Sequence, residues 1–208
     1  MLKKGATFLA VFLVASAILV VSVLRSASVR YAFSQSPSPT PTANDPAEIE
    51  IDYQLPFPGR ILPDSPFWPI KAARDRIWIG VTPNPLKKAQ LYLLFADKRV
   101  SSALTMFERD KSELGVSTLT KAEKYLEQAN FQAKEARERG GNTTEFYANL
   151  ANSSLKHRQI MEDILVVGPE DAKPIVIATT EYARQVFEEA RIALGEMGRE
   201  VPHNPFEE

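Results

Sequence analysis

Apolar residues recur at alternating spacings of three and four along most of the chain after residue 85, which is typical of helices that bury one narrow face. Asn84 is suited to cap the first of these helices, with Pro85 in its first turn and Gly115 after its end. The four predicted buried stripes are Leu86, Ala89, Leu93, Ala96, Val100, Ala103 and Phe107; Leu119, Ala122, Leu126, Ala129, Ala133 and Ala136; Phe146, Leu150, Ser153, His157, Ile160, Ile164 and Val167; and Ile175, Ala178, Tyr182, Val186, Ala190, Ala193 and Met197.

An additional helix is predicted upstream, opening in the segment ILPDSPFWPIK at residues 61–71. Asp64 or Ser65 is suited to the N-cap position, and Pro66 to the first helical position, where a missing N–H costs no hydrogen bond. The residues that follow share one helical face, which we expect to pack against the other helices: Phe67, Ile70, Ala73, Ile77 and Val81.

No stretch alternates apolar and polar residues for long enough to predict a strand. Helices of roughly 20–30 residues joined by short loops prefer antiparallel neighbours. The sequence therefore predicts an all-α fold, an elongated antiparallel up-down bundle of about five helices over residues 53–198. The tail, residues 199–208, is predicted to be disordered.

The N-terminal region has the pattern of a membrane segment. Residues 5–24 carry no charge, and a helix of about 20 residues spans roughly 30 Å, the thickness of the hydrocarbon core of a bilayer. Lys3 and Lys4 favour a cytoplasmic N-terminus, residues 1–4, and export of the remainder. The alternative is a signal peptide cleaved near Ser26, followed by secretion, but the length of the apolar run favours a retained anchor in the lipid bilayer.

Residues 25–52 are predicted to be an extracytoplasmic linker. Within it, residues 34–52 interleave proline with small polar residues, a composition that cannot bury enough apolar surface to fold and that favours extended polyproline II conformers. The linker is therefore interpreted as a semi-rigid stalk between the membrane and the bundle.

Composition narrows the chemistry further. The chain has no cysteine and two histidines, and its formal net charge is −1, so thiolate metal sites and a basic nucleic-acid surface are not indicated. His157 lies on a predicted buried stripe without an obvious ligand set and is interpreted as structural, while Asp97 to Arg99 and Arg74 to Arg76 are interpreted as solvated surfaces. We predict no enzyme activity, no catalytic, cofactor-binding or metal-binding residue, no cofactor and no nucleic-acid partner.

Several motifs together resemble a known family. They are LPDSPF (residues 62–67), NPLKKAQL (84–91), LKHRQIMEDIL (155–165) and GPEDAKP (168–174), with Lys71, Asp75, Arg76, Ala96 and Arg99 between them. The order resembles a family of bacterial extracytoplasmic domains of unknown function, of the DUF5667 type, over residues 61–195. The resemblance implies a helical domain, often behind a signal or anchor segment, with no established catalytic or ligand residues. The Trp68-Pro69 pair departs from the family pattern, which places the start of the first helix in question.

Taken together, these features predict a non-enzymatic, membrane-anchored extracytoplasmic helical module that mediates interactions with an envelope or surface protein. One alternative is a sensor or ligand-binding bundle with a cavity lined by Trp78, Tyr92, Tyr125 and Tyr182. Another is a subunit of a larger membrane complex that packs through small residues of its anchor.

Overall fold

A computed structural model of the chain describes residues 51–207. The predicted N-terminus (1–4), the predicted anchor (5–24) and most of the predicted linker (25–52) lie outside these residues. The described part is all-α, with five helices and no strand, which confirms the all-α part of the prediction. None of its helices is both long and apolar enough to span a bilayer. The five helices are α1 (Trp68–Gly80), α2 (Pro85–Glu108), α3 (Ser112–Glu138), α4 (Thr144–Val167) and α5 (Lys173–Glu196).

The two proline-containing helix starts have different outcomes. The start of α2 is confirmed, because the Asn84 side chain accepts a hydrogen bond of 2.9 Å from the Lys87 N–H and Pro85 is the first helical residue. The predicted start of α1 at Pro66 is wrong, since this helix begins at Trp68. A start at Pro66 would make Pro69 the residue whose N–H closes the first intrahelical hydrogen bond, and proline has no N–H to give.

The predicted end of α2 at Gly115 is wrong as well. This helix ends at Glu108, the chain turns where Asp110 adopts a positive φ, and Gly115 lies in the first turn of α3.

The core lies between α2, α3, α4 and α5, and its side chains come largely from the predicted stripes. All the predicted positions of α3 are buried, as are those of α2 after Leu86 and those of α4 before Val167. The stripe of α5 is confirmed only in its second half, at Val186, Ala190 and Ala193. In the first half Ala178 is exposed, and the buried positions are instead Val176, Thr179 and Ala183.

The four core helices form two hairpins. Helices α2 and α3 pack along each other and are joined by residues 109–111, so they run antiparallel, and α4 and α5 form an equivalent hairpin around residues 168–172. Between the hairpins, α3 lies beside α5 and α2 beside α4, whereas α2 and α5 do not approach each other. Helices α3 and α5 are parallel, because Asn130 bonds Glu189 and Arg137 bonds Glu196 with the same separation in sequence, 59 residues.

Helix α1 lies outside this core, and among the helices of residues 51–207 it approaches α2 alone. The prediction that its apolar stripe is packed is wrong, because Phe67, Ile70, Ile77 and Val81 are 60–70% exposed. The residues of α1 that face the bundle are Asp75 and Ile79, on the opposite side. The spacing of apolar residues identifies a stripe, but it does not specify whether another helix covers that stripe.

The tail after Gly198 is irregular as far as residue 207, without a helix or strand. It nevertheless contacts the bundle, since the Phe206 ring lies 4.3 Å from the Arg158 guanidinium of α4. Stacking of a cation on an aromatic face contributes roughly 0.5–1 kcal/mol at exposed sites. The predicted disorder of residues 199–208 stays a prediction.

Candidate functional site

A buried polar cluster lies where α4 packs against α2 and α3. The stripe of α4 turns Ser153 and His157 into the core, and Asp97 of α2 and Glu123 of α3 point toward them. The His157 ring is bonded on both sides, with Nδ1 at 2.7 Å from Glu123 Oε1 and Nε2 at 3.1 Å from Asp97 Oδ1. Together with Tyr53, which closes the group from outside, these residues are called the His157 cluster below.

Asp97 is the hub of the His157 cluster. Its Oδ1 accepts a hydrogen bond of 2.6 Å from the Ser153 hydroxyl in addition to that from His157. Its Oδ2 accepts one of 2.8 Å from the Tyr53 hydroxyl. Three hydrogen bonds to one carboxylate stabilise its charged form, which offsets part of the cost of burying Asp97.

The geometry of His157 favours the imidazolium. A neutral imidazole has a single N–H, whereas here both ring nitrogens face carboxylate oxygens. Burial by itself disfavours the charged ring, but the charge of Glu123 and the hydrogen bonds from Asp97 and Glu123 more than offset it, raising the pKa of His157 to about 9. His157 is therefore protonated at neutral pH.

Glu123 is the least satisfied member of the His157 cluster. Its side chain is fully buried, and although Oε1 contacts His157, Oε2 has no hydrogen-bond partner within the described part of the chain. A buried polar atom without a partner costs about 1–3 kcal/mol. The cluster thus includes one group whose burial opposes folding and depends on the adjacent imidazolium.

Tyr53 brings the segment before α1 onto the bundle. Burial and the charge of Asp97 raise the pKa of its hydroxyl, which therefore stays protonated as a donor. Beside it, Ile51 is buried and its N–H lies 3.5 Å from the Gln159 Oε1 of α4. Residues 51–53 therefore cover the outer edge of the His157 cluster.

A groove of about 470 Å³ opens next to Tyr53 and Asp97, between the N-terminal halves of α2 and α4. Its volume falls within the range of small-molecule sites, roughly 300–1,000 Å³. The lining combines apolar side chains with several carboxamides: Tyr53, Gln54, Pro56, Leu86, Gln90, Leu93, Leu94, Asp97, Asn142, Glu145, Phe146 and Asn149.

A second buried ion pair joins α1 to α2. Arg99 and Asp75 are both buried, with Arg99 Nη2 at 3.7 Å from Asp75 Oδ2, and Asp75 also binds the exposed Arg74 at 2.7 Å. The Arg99 guanidinium lies 4.2 Å from the Tyr125 ring and donates to the Phe95 carbonyl at 3.2 Å. The interpretation of these charged residues as solvated surface is therefore wrong for Asp75, Asp97 and Arg99.

The four aromatic residues expected around a cavity are distributed otherwise. Tyr92 and Tyr125 contact each other edge to face with ring centroids 5.5 Å apart, and Trp78 stacks in the same manner on Phe95 at 6.2 Å. Tyr182 lies on α5, a helix that does not adjoin α2. The groove beside Tyr53 is thus a different place from the cavity that the sequence suggested.

The bonding of the His157 cluster determines which chemistry it can perform. The Ser153 hydroxyl donates to Asp97 and not to an imidazole nitrogen, so His157 does not activate it as a nucleophile. Ser153, His157 and Glu123 have no exposed surface. Among residues 51–207, no group of histidine, aspartate and glutamate side chains is arranged to hold a metal ion. The bonding of the cluster is therefore typical of a structural role, in which it holds α2, α3 and α4 together.

Comparisons with known proteins place the chain in a family without supplying a function. The comparison with curated proteins and that with solved structures gave no match. A family model described as a domain of unknown function (DUF5667) matches residues 60–171, more than half of the chain. The matched residues span α1 to α4 and include every member of the His157 cluster except Tyr53. The chain therefore belongs to the DUF5667 family, as its motifs predicted.

Proposed function

We propose that the chain is a non-enzymatic helical module that residues 5–24 anchor in the cell membrane, with the bundle on the extracytoplasmic side. The length and apolarity of residues 5–24, with Lys3 and Lys4 before them, support the anchor and its orientation. The proline-rich residues 34–52 support a spacer that holds the bundle away from the anchor. In this proposal the bundle acts through contacts with other proteins of the envelope.

One observation carries the non-enzymatic part of the proposal, namely the enclosure of the His157 cluster. Catalysis requires acid, base or nucleophilic groups within reach of a substrate. In this domain the histidine of the core, its two carboxylates and its serine bind one another where their exposed fraction is at most 3%. Asp97 is the one of these four that also borders the groove beside Tyr53, and both of its oxygens already accept hydrogen bonds within the cluster. Groups arranged in this way stabilise a fold, and we assign them that role.

Membrane topology is the first test. The full chain with a C-terminal tag is expected to stay in the membrane fraction after alkaline extraction, and protease added to intact spheroplasts should remove the tag. Replacing Leu13 and Leu19 by arginine places two charges in the apolar run, each costing roughly 2.5–3.5 kcal/mol at the centre of a membrane helix, and should release the chain. A tag that is protected in intact spheroplasts, or a wild-type chain with an intact N-terminus in the soluble fraction, would contradict the proposal.

Contacts with a protein partner are tested by photo-crosslinking in native membranes. A photoreactive residue is introduced singly at exposed positions on the side formed by α3 and α5, such as Phe131 and Ile192, and on the side formed by α2 and α4, such as Lys87 and Glu162. We expect a discrete adduct from positions on one side of the bundle and none from the opposite side. Absence of an adduct from every position, or equal labelling from all of them, would count against a protein-binding role.

The groove beside Tyr53 favours a second candidate function, a sensor of a small ligand. Carboxamide side chains in its wall suit an uncharged polar compound that both donates and accepts hydrogen bonds. Such a compound should raise the melting temperature of the wild type but not of an Asn149→Trp variant, in which the indole fills the groove. If neutral polar compounds stabilise both proteins equally, or neither, the sensor function is ruled out.

A further inference from the structure

The outward side of α1 is an apolar stripe without a partner in the described part of the chain. Phe67, Ile70, Ile77 and Val81 follow one another along this side, and we call these four residues the outer face of α1. Ile61 of the preceding loop joins them, since it lines a shallow groove of about 420 Å³ together with Phe67 and Ile70. Contiguous exposed apolar surface of this kind marks a binding surface, in contrast to apolar side chains that are scattered singly.

The charges around the outer face are cationic. Arg74 and Arg76 are the exposed charged residues of α1, but only Arg74 lies on the side of Ile70 and Ile77, where it also binds the buried carboxylate of Asp75 at 2.7 Å. The groove beside the outer face is lined in addition by Arg60, Lys71 and Lys98. An apolar stripe with basic residues along its border is the pattern of a helix that lies in the interface of a membrane containing anionic lipid.

We propose that the outer face of α1 lies on the surface of a phospholipid bilayer, with the exposed Arg60 and Arg74 of the adjoining groove at the phosphates of anionic lipids. This inference rests on the proposed function, because the anchor at residues 5–24 keeps a bilayer near the bundle. Residues 25–50 separate the anchor from the described residues, and a chain of this length reaches at most about 90 Å when fully extended. The bilayer is therefore a surface that α1 meets at a high effective concentration.

The same residues disfavour a second copy of the chain as the occupant. In a symmetric dimer through the outer face, each patch meets its own equivalent, so Arg74, midway along α1, would approach Arg74 of the other copy. Like charges brought together at an interface oppose association. Anionic lipid headgroups offer the opposite charge.

Tryptophan fluorescence tests the proposal in the full chain, because the only two tryptophans, Trp68 and Trp78, are both in α1. The chain is reconstituted at a low ratio of protein to lipid in vesicles of phosphatidylcholine and phosphatidylglycerol, with or without bromine on the acyl chains. An interfacial helix lies about 5–10 Å into the boundary between headgroups and acyl chains. Because brominated chains quench at short range, α1 at this depth should lose a large part of its emission. Equal emission in the two kinds of vesicle would overturn the proposal.

A matched pair of variants assigns the quenching to the outer face. The double change Ile70→Glu and Ile77→Glu should restore the emission, and because both side chains are exposed the helical circular dichroism should not change. The control is Ile177→Glu with Ile192→Glu on α5, where the same change at similarly exposed positions should leave quenching intact. Quenching that survives the first pair, or that both pairs abolish, would overturn the assignment.

Two further measurements vary the charge of the lipid and the density of the protein in the vesicles. Vesicles without phosphatidylglycerol should quench less, and equal quenching in both lipids would overturn the role given to Arg60 and Arg74. Emission that shifts with protein density, without quenching, would indicate a second copy and overturn the bilayer as occupant. Alkaline extraction of the same vesicles reports the anchor separately, so an anchored chain without quenching contradicts this inference alone.

Discussion

Raising the pH is expected to destabilise the bundle through His157, within a window that the structure defines. The pKa of this residue is about 9 in the folded chain, against an ordinary value of 6.5. Because folding raises the pKa, the full stabilisation is present below pH 6.5 and is lost as the pH rises to about 9. The difference between the two values corresponds to about 3 kcal/mol of unfolding free energy, at about 1.4 kcal/mol per pH unit.

The assay is urea unfolding of the full chain in non-ionic detergent, followed by far-ultraviolet circular dichroism from about pH 6 to about pH 9. The reference is the double variant His157→Gln with Glu123→Gln, which removes the imidazolium together with one of its two carboxylate partners and keeps hydrogen-bonding side chains of comparable size. We expect the unfolding free energy of the wild type to fall by about 3 kcal/mol more than that of the variant over this range.

Two outcomes would contradict this role of His157. An equal loss of unfolding free energy in the wild type and the double variant would show that another group titrates. A direct nuclear magnetic resonance titration of the His157 ring with a midpoint near its ordinary value, 6.5, would show that the two carboxylates do not hold the proton. A Tyr53→Phe variant is the control for ionisation of the tyrosine. The raised pKa of Tyr53 places the effect of its ionisation on the unfolding free energy above this pH range.

Three further predictions concern stability. Gly115→Ala should lower the unfolding free energy by about 1–3 kcal/mol, since its Cβ would lie 2.7 Å from the Phe107 ring. Gly195→Ala, with open space around it, should instead raise the unfolding free energy by up to about 1 kcal/mol. Both are measured by urea unfolding, and equal effects of the two changes would contradict the steric explanation. Tyr53→Phe removes a hydrogen bond to a charged group and should lower the unfolding free energy by about 1.5–3 kcal/mol. Trypsin should then cleave faster near residue 60, and unchanged cleavage would mean that the hydroxyl does not hold the segment before α1 on the bundle. Asp75→Asn should detach α1, so that the tryptophan transition occurs at lower urea than the circular dichroism transition; coincident transitions would refute this.

The core could be predicted from the sequence because the stripes of α2, α3 and α4 repeat over several turns, and the buried face of a long helix follows from such a repeat. The cap at Asn84 was predictable for a similar reason, since an Asn-Pro pair before an apolar stripe has one favoured geometry. Both features depend on interactions within one helix or on the simple requirement to bury apolar side chains.

Other features depend on which helices meet, and the sequence does not encode this locally. The stripe of α1 has the same spacing as the buried ones, yet α1 attaches to α2 through Asp75 and Ile79 and leaves its apolar side exposed. Likewise, the pairing of α3 with α5 and of α2 with α4 follows from the docking of two hairpins, which periodicity does not specify.

The His157 cluster was missed for a related reason. Asp97 and Glu123 each follow a stripe alanine, Ala96 and Ala122, and such flanking positions often meet solvent. Alanine is small, so the helices approach closely and the flanking side chains turn into the core. A histidine on a buried stripe was the available signal, since a buried imidazole needs polar partners at the same level of the bundle.

The His157 cluster also bears on how the two hairpins align along their length. Alanine recurs along the stripes of α2 and α3, so apolar packing distinguishes poorly between neighbouring registers of α4. A slip by one heptad, about 10 Å, would separate His157 from both carboxylates and leave buried charges unpaired. We infer that the cluster sets a single register, in the way that one polar residue does at the interface of a coiled coil.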